Sequence, residues 1–297
     1  MTDLKDLLAE FGNVECNVPL SSLTTLRIGG IASYVVYPES SVSLDALMRV
    51  IRKKKLPYKV IGKGSNLLCS DKPFKGVIIR LDKFDDCFFL DDTLVAQAGC
   101  SIIALSYEAM KNGLSGLEFA SGIPATVGGV TFMNAGAYRS SMSDIIDGVF
   151  IYRDGRYEWL DNKDCVFGYR SSIFQNHPDW IIVAVRMKLT RSETSEIREL
   201  MESRRERRMS SQPLNMPSAG SVFRNPNDIP AWKLIEGIGY RGKRLGDAMV
   251  SDKHVNFIVN AGHASAEDFL KLVNEIREQV EKKYQIRLHM EVEKFNW

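Results

Sequence analysis

The sequence predicts an α+β protein in which helical and strand patterns alternate along the whole chain. Three observations carry this expectation. Periods of two and of about 3.6 residues are interleaved from end to end, with no internal repeat or low-complexity stretch. A strand–helix–strand order near the start marks a compact unit of both element types. Asp154-Gly155 between two apolar runs is a strong hairpin signal.

The elements follow in order. Ala32 to Tyr37 reads as a strand, Val42 to Lys55 as a helix and Tyr58 to Ile61 as a second strand. Gly76 to Leu81 and Thr93 to Ala98 read as strands, and Ile102 to Asn112 as a helix. Past a glycine-rich stretch, Ile145 to Arg153 and Tyr157 to Leu160 flank the hairpin turn, and Trp180 to Leu189 is a mostly apolar strand. Ser192 to Met209 is a charged helical connector. A short helix near Ala231 to Glu236, strands around Ala248 and Phe257, and a helix from Ser265 to about Tyr284 come next. A final strand is expected over Ile286 to Val292. Ser265-Ala-Glu-Asp has capping character for the helix it precedes. Boundaries are expected near 75 and 191, giving regions 1–75, 76–191 and 192–297.

Composition narrows the function classes. Apolar residues make up 44% and charged residues 26% of 297, ordinary for a water-soluble globular protein with ample core. A net charge of +2 gives no reason to expect nucleic acid or an anionic membrane as partner. The start is acidic and amphipathic, unlike a secretory signal, and no apolar run approaches the roughly 18 residues of a membrane span. Five scattered cysteines without a C-x-x-C fit reduced thiols in the cytoplasm, and the four histidines lack ligand spacing, so no metal is expected.

Five segments have the residue types for chemistry. Pro217 to Pro226, PSAGSVFRNP, mounts Ser221 after a turn-forming glycine and before a short apolar pair. The serine is either a turn hydroxyl or a rigidly held proton donor; G-x-S-x-G is absent, which disfavours acyl transfer. IGKGSNLLCS (Ile61 to Ser70) is either an ordinary turn after a strand or a phosphate cradle. SGIPATVGGVTFMNAGAY (Ser121 to Tyr138) is either tight chain packing or backbone lying against a bulky ligand. The two glycine segments together suit an extended cofactor with its own diphosphate, and FAD fits. Arg170 in GYRSS reads alone as a surface residue, and Glu291 in MEV as part of a solvated strand face.

In chain order the segments resemble the UDP-N-acetylenolpyruvoylglucosamine reductase family. TTLRIGG (Thr24 to Gly30), IGKGSNLL, SGIPATVGGVTFMNAGAY, GYRSSIF, PSAGSVFRNP, KLIE, FIVN and MEV span nearly the whole chain. The resemblance implies a two-subdomain FAD-binding fold of the vanillyl-alcohol-oxidase/PCMH type plus a C-terminal α+β substrate-binding domain. It implies NADPH-dependent reduction of UDP-N-acetylglucosamine enolpyruvate to UDP-N-acetylmuramate in peptidoglycan precursor synthesis, with hydride from flavin N5. The catalytic residues it implies are Arg170, Ser221 and Glu291. Arg170 steadies the carboxylate and Ser221 supplies the proton; Glu291 orients the carboxylate or Arg170, or donates a hydrogen bond if protonated. Non-covalent FAD falls to Arg27, Gly62, Lys63, Gly64, Ser65, Asn66, Leu67, Ser121, Gly122, Ile123, Pro124, Ala125, Thr126, Gly128, Gly129, Asn134 and Gly136. Substrate falls to Tyr138, Arg207, Asn225 and His254. The short interval between Arg170 and Ser221 resembles the subclass without a substrate-capping loop, and a cytoplasmic monomer is expected. Ser211 stands where similar enzymes commonly have Lys, which makes Arg207 or Arg208 a candidate substitute. Asp247 replaces a small residue, and the tail after Glu291 differs.

Overall fold

The computed structural model describes residues 3–226 and 229–297. The chain divides into two compact units, each assembled from separated stretches. One holds residues up to Cys16 with Tyr34–Lys63 and Gly76–Arg207; the other holds Asn17–Ser33, Gly64–Lys75 and Arg208–Trp297.

The first unit is built on a five-stranded antiparallel sheet, ordered Arg156–Asp161, Ile146–Arg153, Ile181–Lys188, Thr93–Gln97, Cys87–Leu90. The hairpin turn sits where Asp154-Gly155 predicts it. Both residues take positive φ, 49° and 78°, as the twist of a two-residue β-turn requires. Helices Ile102–Lys111 and Val127–Phe132 belong to the same unit, and their apolar faces join its core. A second, four-stranded sheet runs Gly12–Pro19, Ile31–Pro38, Phe74–Ile79, Tyr58–Val60. Helix Ser41–Lys54 buries Leu44, Leu47, Met48 and Ile51 at helical spacing, and Ser40 starts it with a reciprocal capping box through Ser43.

The second unit gathers its core around helix Ala266–Tyr284, whose Phe269, Leu272, Val273, Ile276 and Val280 are all buried. Ser265 caps that helix as expected, accepting from the Asp268 N–H at 3.0 Å. A three-stranded antiparallel sheet, Arg244–Leu245, Ala248–Val250 and Ile258–Asn260, completes the frame.

Two details differ from the sequence reading. Gly12–Pro19 is a strand that polar, largely exposed residues conceal. The expected terminal strand over 286–292 is replaced by Glu293–Phe295, which runs parallel to Leu67–Cys69. Leu288 and Val292 are buried as the alternation predicts, but the backbone of 289–291 is bound to the Ser221 loop, leaving a single bridge at Met290. The altered tail is used there: Phe295 packs edge-on against Phe74 with ring centroids 4.8 Å apart. Asp247 is absorbed locally too, its carboxylate accepting from the His263 N–H at 2.7 Å.

Among the described residues no helix is long and apolar enough to cross a membrane, and no group of three or more His, Cys, Asp or Glu is placed to hold a metal ion. Cys69, Cys100 and Cys165 are buried and Cys16 and Cys87 exposed. Burial pushes the thiols of Cys100 and Cys165 up to about 12, so both stay protonated and unreactive at neutral pH.

Candidate active site

Ser221 lies in the second unit on a loop held from two sides. Gly220 before it has φ 78°, and a Cβ there would meet nothing within 4 Å, so the glycine is needed for conformation rather than space. After it, the Val222 N–H donates to Asn256 O and Val222 O accepts from the Glu291 N–H, both at 2.7 Å. Ser221 and Glu291 therefore flank one shared backbone hydrogen bond. Asn66 joins the same cluster, its Nδ2 donating to Glu291 O at 3.1 Å and its carbonyl accepting from the Glu293 N–H at 2.9 Å. A residue expected at the cofactor and a residue expected at the substrate thus share a backbone contact.

Asn256 and Asn260 are the residues of this cluster that the sequence reading missed. Both are buried, Asn256 in the turn before strand Ile258–Asn260 and Asn260 at the end of that strand. Asn260 Nδ2 donates to Leu26 O and Arg27 O, each at 3.3 Å, fixing the turn on which Arg27 takes φ 56°. The only signal in the sequence was the paired polar residues in NFIVN, an asparagine at each end of three apolar positions. Of the expected substrate contacts here, Asn225 is exposed and spends its Oδ1 on the Ala231 N–H at 3.0 Å. His254 is half-buried, its Nδ1 accepting from the Asn256 N–H at 3.3 Å. Burial holds the imidazole below the usual histidine range, favouring the neutral ring that this bond needs.

Arg170 lies in the first unit at the tip of a tight turn. Gly168 and Ser171 exchange both backbone hydrogen bonds, at 3.0 and 3.1 Å, and Arg170 takes φ 54° between them. Its Nη2 donates to Gly136 O at 2.6 Å, and Asn134 Nδ2 donates to Gly168 O at 2.9 Å. Arg170, Asn134 and Gly136 are thus brought together from segments more than thirty residues apart. Asn134 also accepts from the Ser143 N–H at 2.9 Å, so its amide is engaged by protein on both sides. Tyr138 takes φ 56° in the next turn; its hydroxyl donates to Arg204 O at 2.9 Å, and the Arg204 and Arg207 guanidiniums lie 5.1 and 5.9 Å from its ring centroid. Ser211 ends the long helix Thr194–Ser211, and Lys253 Nζ donates to Met209 O near that end.

The glycine segments answer both readings offered for them. A Cβ on Gly128 would stand 3.0 Å from the Ala98 Cβ, and one on Gly62 2.5 Å from Thr126 Oγ1, so chain packs on chain at both places. Ser121, Gly122, Ile123 and Ala125 stay half-buried and Pro124 exposed, leaving that backbone accessible beside Thr126, which caps helix Val127–Phe132 through the Gly129 N–H. In the second unit Gly64 takes φ 61° next to Thr24, whose buried Oγ1 has no protein partner. An unpartnered buried hydroxyl costs about 1–3 kcal/mol, and a ligand oxygen would remove that cost. Exposed Arg27, on the same segment, is the right charge for a diphosphate. The residues present fit FAD. A side chain at Gly64 would put Cβ 2.3 Å from Leu23 O and 2.8 Å from the Thr24 Cα, in a left-handed backbone. Gly64→Ala is expected to lose more than about 2 kcal/mol of stability and to purify with less flavin per chain, measured by melting temperature and by the 450 nm to 280 nm absorbance ratio.

The chain is similar to known proteins along nearly its whole length. Residues 212–295 match the family model described as UDP-N-acetylenolpyruvoylglucosamine reductase, C-terminal domain, and residues 32–161 match an FAD binding domain. The UDP-N-acetylenolpyruvoylglucosamine reductase of Bacillus subtilis is 41% identical over 286 residues, covering 96% of this chain and 94% of the relative. That of Carboxydothermus hydrogenoformans is 42% identical over 279 residues, covering 93% and 92%. The crystal structure of the reductase from Thermus caldophilus superposes with a TM-score of 0.83 at 36% identity, covering 96% of this chain and all of that one. With an FAD-binding domain followed by the reductase C-terminal domain and an α+β fold throughout, the chain belongs to the UDP-N-acetylenolpyruvoylglucosamine reductase family and is an FAD-containing oxidoreductase.

Proposed function

We propose that the protein reduces UDP-N-acetylglucosamine enolpyruvate to UDP-N-acetylmuramate at the expense of NADPH, in peptidoglycan precursor synthesis. The observation that carries this reading is the shared backbone hydrogen bond between Val222 O and the Glu291 N–H, 2.7 Å, which places Ser221 and Glu291 beside each other in the second unit. Regions 1–75 and 76–191 serve the cofactor and 192–297 the substrate. The protein acts as a cytoplasmic monomer on this small molecule, without nucleic acid or membrane insertion.

Arg27, Gly62 to Leu67, Ser121 to Thr126, Gly128, Gly129, Asn134 and Gly136 hold FAD without a covalent bond. Bound FAD supplies the redox chemistry, carrying two electrons from NADPH to the enolpyruvyl double bond. Negative charge grows on the substrate's carboxylate-bearing carbon as that double bond is reduced. Arg170 stabilises it, being always cationic and shaped to meet a carboxylate. Ser221 Oγ–H gives its proton to that carbon, and the serine oxygen regains one from water. Glu291 positions the carboxylate from the backbone it shares with the serine loop. Tyr138, Arg207, Asn225 and His254 line the substrate.

The purified protein is expected to be yellow, to bleach with NADPH under anaerobic conditions, and to regain its colour on adding UDP-N-acetylglucosamine enolpyruvate. A reduced flavin that this substrate does not reoxidise would sink the assignment.

A further inference from the structure

Asn256 has an unusual concentration of bonds on one short stretch. Its Oδ1 accepts from the Phe223 N–H at 3.0 Å, its Nδ2 donates to Phe223 O at 2.9 Å, and its own carbonyl accepts from the Val222 N–H at 2.7 Å. Three hydrogen bonds from one residue fall on the two residues that follow Ser221. The side chain is 4% exposed, so the amide faces protein on the side where it binds Phe223. Its backbone N–H goes to His254 Nδ1, which ties an expected substrate contact to the same residue.

On the opposite side of the serine, Gly220 has no side chain to pack, and a Cβ there would meet nothing within 4 Å. Upstream of that glycine, Ala219 is buried in the core and Ser218 is bridged to Val259, its carbonyl accepting from Thr25 Oγ1 at 2.7 Å. The direction of the Ser221 hydroxyl is therefore set mainly from its C-terminal side, through the peptides that Asn256 and the Glu291 N–H grip.

We infer that Asn256 is the positioning residue that aims the Ser221 hydroxyl for proton delivery. This rests on the reaction proposed above. The amide is suited to the task because it can donate and accept at once across a single residue, pairing with Phe223 as a neighbouring strand would. Removing it strands a buried N–H and a buried C=O of Phe223, and the loop then relaxes. A misplacement of about 1 Å at a reacting group costs on the order of 10²-fold in rate.

The test uses the full-length flavoprotein carrying Asn256→Ala, Ser221→Ala, or both. Asn256→Ala is expected to slow reoxidation of the reduced flavin by UDP-N-acetylglucosamine enolpyruvate about 10²-fold, and to change NADPH reduction by no more than about twofold. In the Ser221→Ala background the second change is expected to add almost nothing, since a residue acting through the serine has nothing left to aim. Equal slowing of both half-reactions, or full additivity of the two losses, would overturn the inference. Asn256→Asp keeps the acceptor for the Phe223 N–H and is the second variant if the alanine protein does not fold; a smaller loss than alanine's is expected, and none at all counts against the role. Hydrogen exchange gives a readout independent of the reaction. The Val222 and Phe223 amides should exchange faster in the variant while those of helix Ala266–Tyr284 do not. If the substrate fails to reoxidise even the unmodified protein, the proposed reaction falls, and unchanged exchange at Val222 and Phe223 separately removes the positioning role of Asn256.

Discussion

Replacing Ser221 by Ala is expected to leave flavin reduction by NADPH intact and to slow the enolpyruvyl half-reaction by about 10³-fold or more. General acid catalysis contributes typically 10² to 10⁴-fold, and alanine leaves no side-chain proton donor at this position. The substitution removes one oxygen from a half-buried position whose backbone is held elsewhere: Val222 is gripped by Asn256 O and by the Glu291 N–H, and the conformation at Gly220 needs no serine. The loop should keep its shape, so the loss is chemical. Stopped-flow absorbance at 450 nm reads the two halves separately, and a solvent isotope effect on the second half should vanish or change with the hydroxyl. Comparable slowing of both halves would make Ser221 a structural residue and leave the proton without a donor.

Much of the frame behind this prediction was legible in the sequence because it is local. The Ser265 cap and the Asp154-Gly155 turn are written within a few residues, and each formed where expected. Ser221 stood out for the same reason, since a glycine and two prolines mark a shaped loop. What the sequence concealed depends on pairing across long separations. Strand Glu293–Phe295 runs beside Leu67–Cys69, which carries Glu291 to Asn66 across more than two hundred residues. No periodicity within either segment records that, so Ile286 to Val292 read as the terminal strand. Thr24 and Asn256 escaped for a related reason: threonine and asparagine are common turn and surface residues, and only burial reveals that one lacks a partner and the other has several. Asn134 is instructive in the other direction. The resemblance assigns it to the cofactor, and the fold engages its amide with Gly168 O and the Ser143 N–H, so it also secures the turn that carries Arg170.

Arg170→Ala is expected to cut the enolpyruvyl half-reaction by about 10² to 10³-fold, the usual loss when one preorganised donor to developing charge is removed. Arg170→Lys should recover little of it. The arginine occupies φ 54° in a turn closed by Gly168 and Ser171, and its Nη2 donates to Gly136 O at 2.6 Å. That bond sets the plane of the guanidinium, and the plane is what a fork needs to meet two carboxylate oxygens together. Stacking over Tyr169, at 5.1 Å from the ring centroid, restrains it further. Lysine has the charge but neither plane nor fork, and its ammonium on a flexible stem would be drawn to Gly136 O alone. Lysine and alanine variants should therefore resemble each other in the second half-reaction at saturating substrate, and both should reduce normally with NADPH. A lysine variant near wild-type rate would mean that charge alone is sufficient and that the Gly136 contact is incidental. If flavin content falls in both variants instead, the arginine's main work is to hold the Gly136 segment in place, and the charge must be met by another cation.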